Sequence, residues 1–209
     1  MVSKPRRLIV EGADDKRVIP QIIEAHGIAW GETRAEAIVH IEDYDGVENL
    51  MKAIGAELKR SELQALGIAI DADEDWAGCW RSLQQAWARS IPNFPETLPE
   101  EGLITKMDND IQFGVWIMPD NRSRGMLETF LSYLVPEPTD AIWEYAQAAQ
   151  RLGASFRDVH RDKAQMHTWL AWQDPPGQQL HLAVKQQILR PGHPKAQAFV
   201  DWFRKLYSL

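Results

Sequence analysis

The sequence predicts an α/β protein: a mostly parallel sheet of about four strands flanked by helices, with an all-helical C-terminal extension. Three observations point there. Up to Asp120, short apolar runs alternate with helix-period segments, the pattern of a parallel sheet with helices on its faces. From Gly125 onward only helix-period segments follow. The composition, 44% hydrophobic and 25% charged, is that of a globular chain, and 209 residues suffice to bury a core without staples. The division expected is an α/β part over residues 1–135 and a helical extension over 136–209 packed on it as one unit.

The first strand is Leu8-Ile9-Val10, ending at Glu11-Gly12. Residues 14–26 follow as a helix, because Val18, Ile19, Ile22 and Ile23 recur at its period. Pro20 stands early in that helix, where it is better tolerated than deep inside. Residues 37–41 read as the second strand. Asp45-Gly46 opens a helix to about residue 60, with Val47, Leu50, Ile54 and Leu58 on its apolar face. The third strand, 66–70, runs into Asp71-Ala72-Asp73-Glu74-Asp75. Trp76, Trp80, Leu83 and Trp87 then mark one side of a helix, and Pro92, Pro95 and Pro99 a loop. The fourth strand, 111–118, closes at Pro119-Asp120-Asn121. Helices are expected at about 125–134, 138–152, 162–172, 179–189 and 195–207.

Composition also excludes. One cysteine, Cys79, rules out an internal disulfide framework and a cysteine-built zinc cluster. The longest apolar runs fall far short of the roughly 18 residues of a membrane span, so no membrane role and a soluble, cytoplasmic location are expected. The six histidines show no tight ligand spacing, which argues against zinc. The net charge of −7 is uneven: residues 1–150 hold 14 basic and 26 acidic residues, and residues 151–209 hold 9 basic and 4 acidic. Such acidity does not suit tight metal-free binding to nucleic acid, which draws on broad cationic surface.

In open α/β sheets the site lies outside the carboxyl ends of the strands, and there the sequence places its acids. Glu11 follows the first strand, Asp71 and Asp73 the third, and Asp120 the fourth. Asp14 and Asp15 stand one turn past Glu11, and Glu128 just inside the helix after strand four. Carboxylates gathered together repel and raise one another's pKa; a hard cation such as Mg²⁺, which prefers oxygen ligands, removes that cost. Asp-x-Asp at a strand end is expected to send both carboxylates the same way, since side chains alternate with period two. Each piece alone also has a bland reading: Gly12 for a tight turn, Asp14 or Asp15 for a helix cap.

Leu8-Ile9-Val10-Glu11-Gly12-Ala13-Asp14-Asp15, followed by Ile68-Ala69-Ile70-Asp71-Ala72-Asp73, resembles the TOPRIM domain. That domain is shared by topoisomerases, bacterial primases, small maturation nucleases and the overcoming-lysogenization-defect (OLD) nucleases. The stretches Gly114–Asn121, Gly125–Glu128, Lys163-Ala164 and His167–Trp172 resemble small stand-alone bacterial TOPRIM-like proteins of unassigned function. The resemblance implies a Mg²⁺ (or Mn²⁺) site at Glu11, Asp71 and Asp73, with Glu11 as general acid/base or ligand. It further implies Asp15 as the second acid after the Glu-Gly and a metal ligand, Glu128 as a further glutamate for a second metal, and Lys163 as a late lysine that steadies transition-state charge. Two metals about 3.5–4 Å apart support phosphodiester hydrolysis by activating water and stabilising the leaving oxygen. The expected function is therefore a Mg²⁺-dependent phosphodiesterase or nuclease. The chain lacks the Gly-x-x-x-x-Gly-Lys-Ser/Thr loop, so an ATPase or defence-system partner would be a separate chain.

Arg122, Arg124 and Arg161 are candidate phosphate contacts, since arginine suits bidentate phosphate recognition; a solvated helix face is the alternative. Trp76, Trp80 and Trp87 read as core, Trp169 and Trp172 as packing the C-terminal helices onto the sheet, and Cys79 as buried. Two other functions compete. One is a non-catalytic module that binds metal, nucleic acid or a partner ATPase. The other is a haloacid-dehalogenase-type phosphatase, whose Asp-x-Asp is followed two residues later by Thr or Val; here Asp75 stands there.

Overall fold

The computed structural model describes residues 5–91, 94–136 and 141–209. Pro92 and the start of the helix expected from residue 138 lie outside these. Five strands, β1 (Arg6–Val10), β2 (His40–Asp43), β3 (Ala65–Asp71), β4 (Leu103–Lys106) and β5 (Gln112–Met118), form one sheet in the order β2-β1-β3-β5-β4. All pairings are parallel except β4 with β5. The fold is thus a mostly parallel α/β sheet, with β4 added to the expected strands. β2 is displaced from residues 37–41; it pairs beside β1 in the register Leu8 with Ile41.

Alternation along the strands builds two cores. Leu8 and Val10 of β1, Ala69 of β3, and Trp116 and Met118 of β5 face one side. Ile9, Ile68, Ile70, Val115 and Ile117 face the other. Helices α2 (Val47–Glu57) and α3 (Trp76–Trp87) cover the second side through Leu50, Ile54, Trp80, Leu83 and Trp87. The α3 start is capped by Asp75, whose carboxylate accepts the Gly78 N–H at 2.9 Å.

The first side takes α1 (Ala13–Ala25) and the helices past residue 125: α4 (Leu127–Ser132), α5 (Ala141–Ala149), α6 (Arg161–Leu170), α7 (Leu180–Lys185) and α8 (Pro194–Tyr207). α8 lies across the sheet with Phe199, Trp202, Phe203, Leu206 and Tyr207 buried. Each such side chain contributes about 1.5–3 kcal/mol by burial. The approach is close: a Cβ added at Gly67 would lie 2.4 Å from the Tyr207 hydroxyl, which donates to the Arg7 carbonyl at 2.6 Å. Trp169 packs edge-on against Trp143 of α5. Trp172 does not pack as expected: α6 ends at Leu170, the chain turns, and the indole is 65% exposed.

The chain leaves β1 for β2 on one side and returns to β3 on the other, so β1 and β3 flank the point where strand order reverses. A crevice opens at such a point, and Glu11 and Asp71 stand on its rim.

Candidate functional site

A cavity of ≈ 400 Å³ opens beyond the carboxyl ends of β1 and β3. Its wall brings together Glu11, Asp15, Asp71, Glu128 and Lys163, five of the residues singled out from the sequence. They come from the end of β1, the first turn of α1, the end of β3, the first turn of α4 and the first turn of α6.

Local structure explains each placement. α1 begins one residue past Gly12, so its first turn carries Asp15 back over the strand end. The Asp15 carboxylate accepts the Gly12 N–H at 3.2 Å. The Asp71 carboxylate accepts the Leu127 N–H at 3.0 Å, a donor that the start of α4 leaves free. The Glu11 carboxylate faces the Asp71 N–H at 3.5 Å. Glu128, next along α4, is 4% exposed and meets the Lys163 ammonium at 3.3 Å.

The electrostatics are those of crowded acids. Burial, then Glu11 and Glu128, push the Asp15 carboxyl up to about 7. Burial, then Asp15, Glu11 and Glu128, hold Asp71 well above the ordinary carboxylate range. Burial raises Glu11 as well, with the Asp71 N–H working against it and Asp73 adding to it. Lys163 is pushed up, first by Glu128. Cys79 lies underneath, its thiol 3.6 Å from the Asp71 carbonyl. Burial and then Glu11 and Asp73 push it up to about 12, the opposite of an activated nucleophile.

Asp73 takes a different position. β3 ends at Asp71, and Asp73 has a φ of 50°, so strand alternation stops before reaching it. Its backbone bridges to Gly125, its side chain is exposed, and it lines a small neighbouring depression with Glu74, Arg124, Asp158, Arg161 and Asp162. Its charge still acts on Glu11 and Asp71. Of the candidate phosphate contacts, Arg161 pairs with Asp158 at 3.1 Å and Arg122 with Glu100 at 2.8 Å, and Arg124 faces the acids of that depression. Asp120 is held apart from the cavity: Lys195 of α8 meets it at 2.8 Å, and the same ammonium lies 3.6 Å over the Tyr133 ring. That interaction holds the Asp120 carboxyl low despite its burial.

Sequence reasoning missed Asp45 and Gly46, which line the cavity from the loop after β2. The signal was available, since β2 is a parallel strand and its carboxyl end belongs to the same rim. It also missed the clamp in which the Thr129 hydroxyl donates to Asp162. This sits one residue along from the Glu128–Lys163 pair on both helices and ties α6 to α4.

Among the described residues, no three His, Cys, Asp or Glu side chains form a ready-made metal-binding set; the carboxylates share the wall of a cavity without closing on one point. The donor set nonetheless suits a hard cation. It is all oxygen, Asp15 and Glu128 are buried and Glu11 and Asp71 half-buried, and its members repel one another; among the described residues, Lys163 is the one basic residue on the wall. Glu11, Asp15, Asp71 and Glu128 are the residues that would hold it.

No curated protein and no solved structure matches the chain. A family model described as "Protein of unknown function (DUF3226)" matches residues 5–208, and the chain belongs to that family.

Proposed function

We propose that the protein is a Mg²⁺-dependent phosphodiesterase of TOPRIM type that acts on nucleic acid by metal-assisted hydrolysis. The observation that carries this reading is the convergence of Glu11, Asp15, Asp71 and Glu128 on one cavity at the reversal of strand order, with Lys163 beside them. The resemblance of the Glu-Gly and Asp-x-Asp segments to TOPRIM proteins gives the convergence its chemical sense.

A divalent ion bound here would supply Lewis-acid stabilisation of phosphate charge and an acidified water. The chain's own groups do the rest. Asp71 and Asp15, raised by burial and then by the neighbouring carboxylates, would lose their protons as a cation offset these costs. Glu11, held above the usual carboxylate range, is suited to take a proton from an attacking water. Lys163 reaches the cavity from the start of α6 and can offset charge on a phosphate oxygen. Asp73, at the edge, adds to the field at Glu11 and Asp71 and is a further ligand if the loop draws inward.

The test is turnover of plasmid DNA, single-stranded DNA and RNA with Mg²⁺ or Mn²⁺. Asp71→Ala is expected to lower activity about 10²-fold or more, the scale of losing one group that stabilises transition-state charge. Activity that survives Asp71→Ala sinks the assignment. Metal binding without turnover of any substrate would instead favour the non-catalytic module, working beside a separate ATPase.

A further inference from the structure

We infer that the substrate is a short phosphodiester or the unpaired end of a strand, engaged through about one phosphate, and not a long duplex tracked along its backbone. This rests on the phosphodiesterase reading and adds the substrate class.

Size comes first. A cavity of ≈ 400 Å³ lies near the lower end of the roughly 300–1,000 Å³ range of small-molecule sites. It takes a nucleotide-sized group and leaves the rest of a polymer outside, so what lies around the mouth decides whether a polymer is held.

Charge decides it. Among the described residues, six carboxylates line the cavity against one ammonium, an excess of five negative charges when all are ionised. Two divalent ions would reduce that excess to about one. The neighbouring depression, where a flanking phosphate would fall, presents four carboxylates and two guanidinium groups. Of the nearby cations, Lys16 comes with Asp43, Arg17 with Asp14 at 4.0 Å and Arg161 with Asp158. The exposed pairs, Arg17 with Asp14 and Arg161 with Asp158, are weak, about 0–1 kcal/mol, so a phosphate could displace the partner. The displaced carboxylate would stay beside it, however, and the local field would remain non-positive. Long nucleic acid is held by the opposite arrangement, several uncompensated Lys and Arg that release counterions.

Salt dependence reads this directly. We expect kcat/KM for a dinucleotide and for a short single strand to be similar, and both to exceed that for a long duplex. Raising KCl fourfold at fixed Mg²⁺ should lower the single-strand value only about threefold, as for one phosphate contact. Glu74→Lys with Asp158→Lys should raise duplex turnover and steepen its salt dependence, because these changes build the missing cationic track. Duplex preferred by the unaltered protein, with a fall of about 10³-fold over the same salt range, the mark of six or more contacts, would overturn the inference and leave the phosphodiesterase reading intact. Failure to turn over any diester, short or long, would overturn both.

Discussion

Two buried acidic regions of this protein are built in opposite ways. Glu57, at the end of α2, is 2% exposed and fully partnered: Arg7 and Arg60 each donate to it at 2.8 Å, and Tyr44 at 2.6 Å. Burial works against its ionisation, yet the bonds from Arg60 and Tyr44 and the charge of Arg7 hold its carboxyl below the ordinary range. Asp15, 6% exposed, is nearly as buried, and its neighbours are acids. The same chain that supplies two guanidinium groups to one carboxylate places six others around one cavity with, among the described residues, a single lysine. Buried charges are paired as a rule, and departures gather at functional sites. The crowded cavity acids are therefore not a general feature of how this fold treats charge.

Removing Glu57 dismantles the partnered region. Glu57→Ala leaves Arg7, 5% exposed, buried without its main partner. We expect a loss of about 3–5 kcal/mol in urea unfolding, the usual cost of removing one member of a buried pair. A loss under about 1 kcal/mol would mean that the network contributes little.

Next is pH, where the two regions have opposite signs. Asp15 is raised to about 7, so the folded state holds that proton more tightly than the unfolded chain does. Its contribution favours folding at low pH and is lost as pH rises from the ordinary carboxylate range through about 7. Asp71 and Glu11, also raised, act in the same direction. Glu57 is lowered, so its contribution is present above the ordinary carboxylate range and lost as pH falls below it. Without divalent metal, stability should therefore fall between pH 5 and pH 8, on the order of 2–4 kcal/mol. Millimolar Mg²⁺ should reverse the fall at pH 8 by binding the folded state. Thermal unfolding across pH, with EDTA or Mg²⁺, reads both; a flat profile in EDTA contradicts the crowding.

Asp15→Asn removes one of the repelling charges and should stabilise the metal-free protein by about 1–2 kcal/mol at pH 8, while weakening the response to Mg²⁺. Lys163→Met leaves Glu128 without its partner and should cost about 1 kcal/mol. Its larger consequence should be on turnover, seen as a fall in kcat.

Much of this was legible in the sequence. β1, β3 and β5 show as continuous apolar runs because a parallel strand is covered on both faces. Glu11 and Asp71 then follow from being the first polar residues past those runs. β4 did not show, because Leu103–Lys106 is a four-residue antiparallel edge behind a proline-rich loop. β2 was displaced because its apolar approach, Ala37–Val39, reads more like a strand than His40–Asp43 does. Asp73 was placed by strand alternation, which holds only while the strand lasts; the left-handed turn after Asp71 is not written in residue type. The approach of Lys163 to Glu128 depends on how α6 packs on α4, and only resemblance suggested it. Glu57 was invisible as a special residue, since its partner Arg7 lies fifty positions away.

The role proposed for the carboxylates at the ends of β1 and β3 is to hold a divalent cation. Calorimetric titration of the metal-free protein with Mn²⁺ at pH 7, repeated in two buffers of different ionisation enthalpy, tests it most directly. Binding should be accompanied by proton release, because raised carboxyls must ionise to ligate, and both should be lost in Asp71→Asn with its near-UV circular dichroism unchanged. Absence of binding, or binding that Asp71→Asn leaves intact, would contradict it.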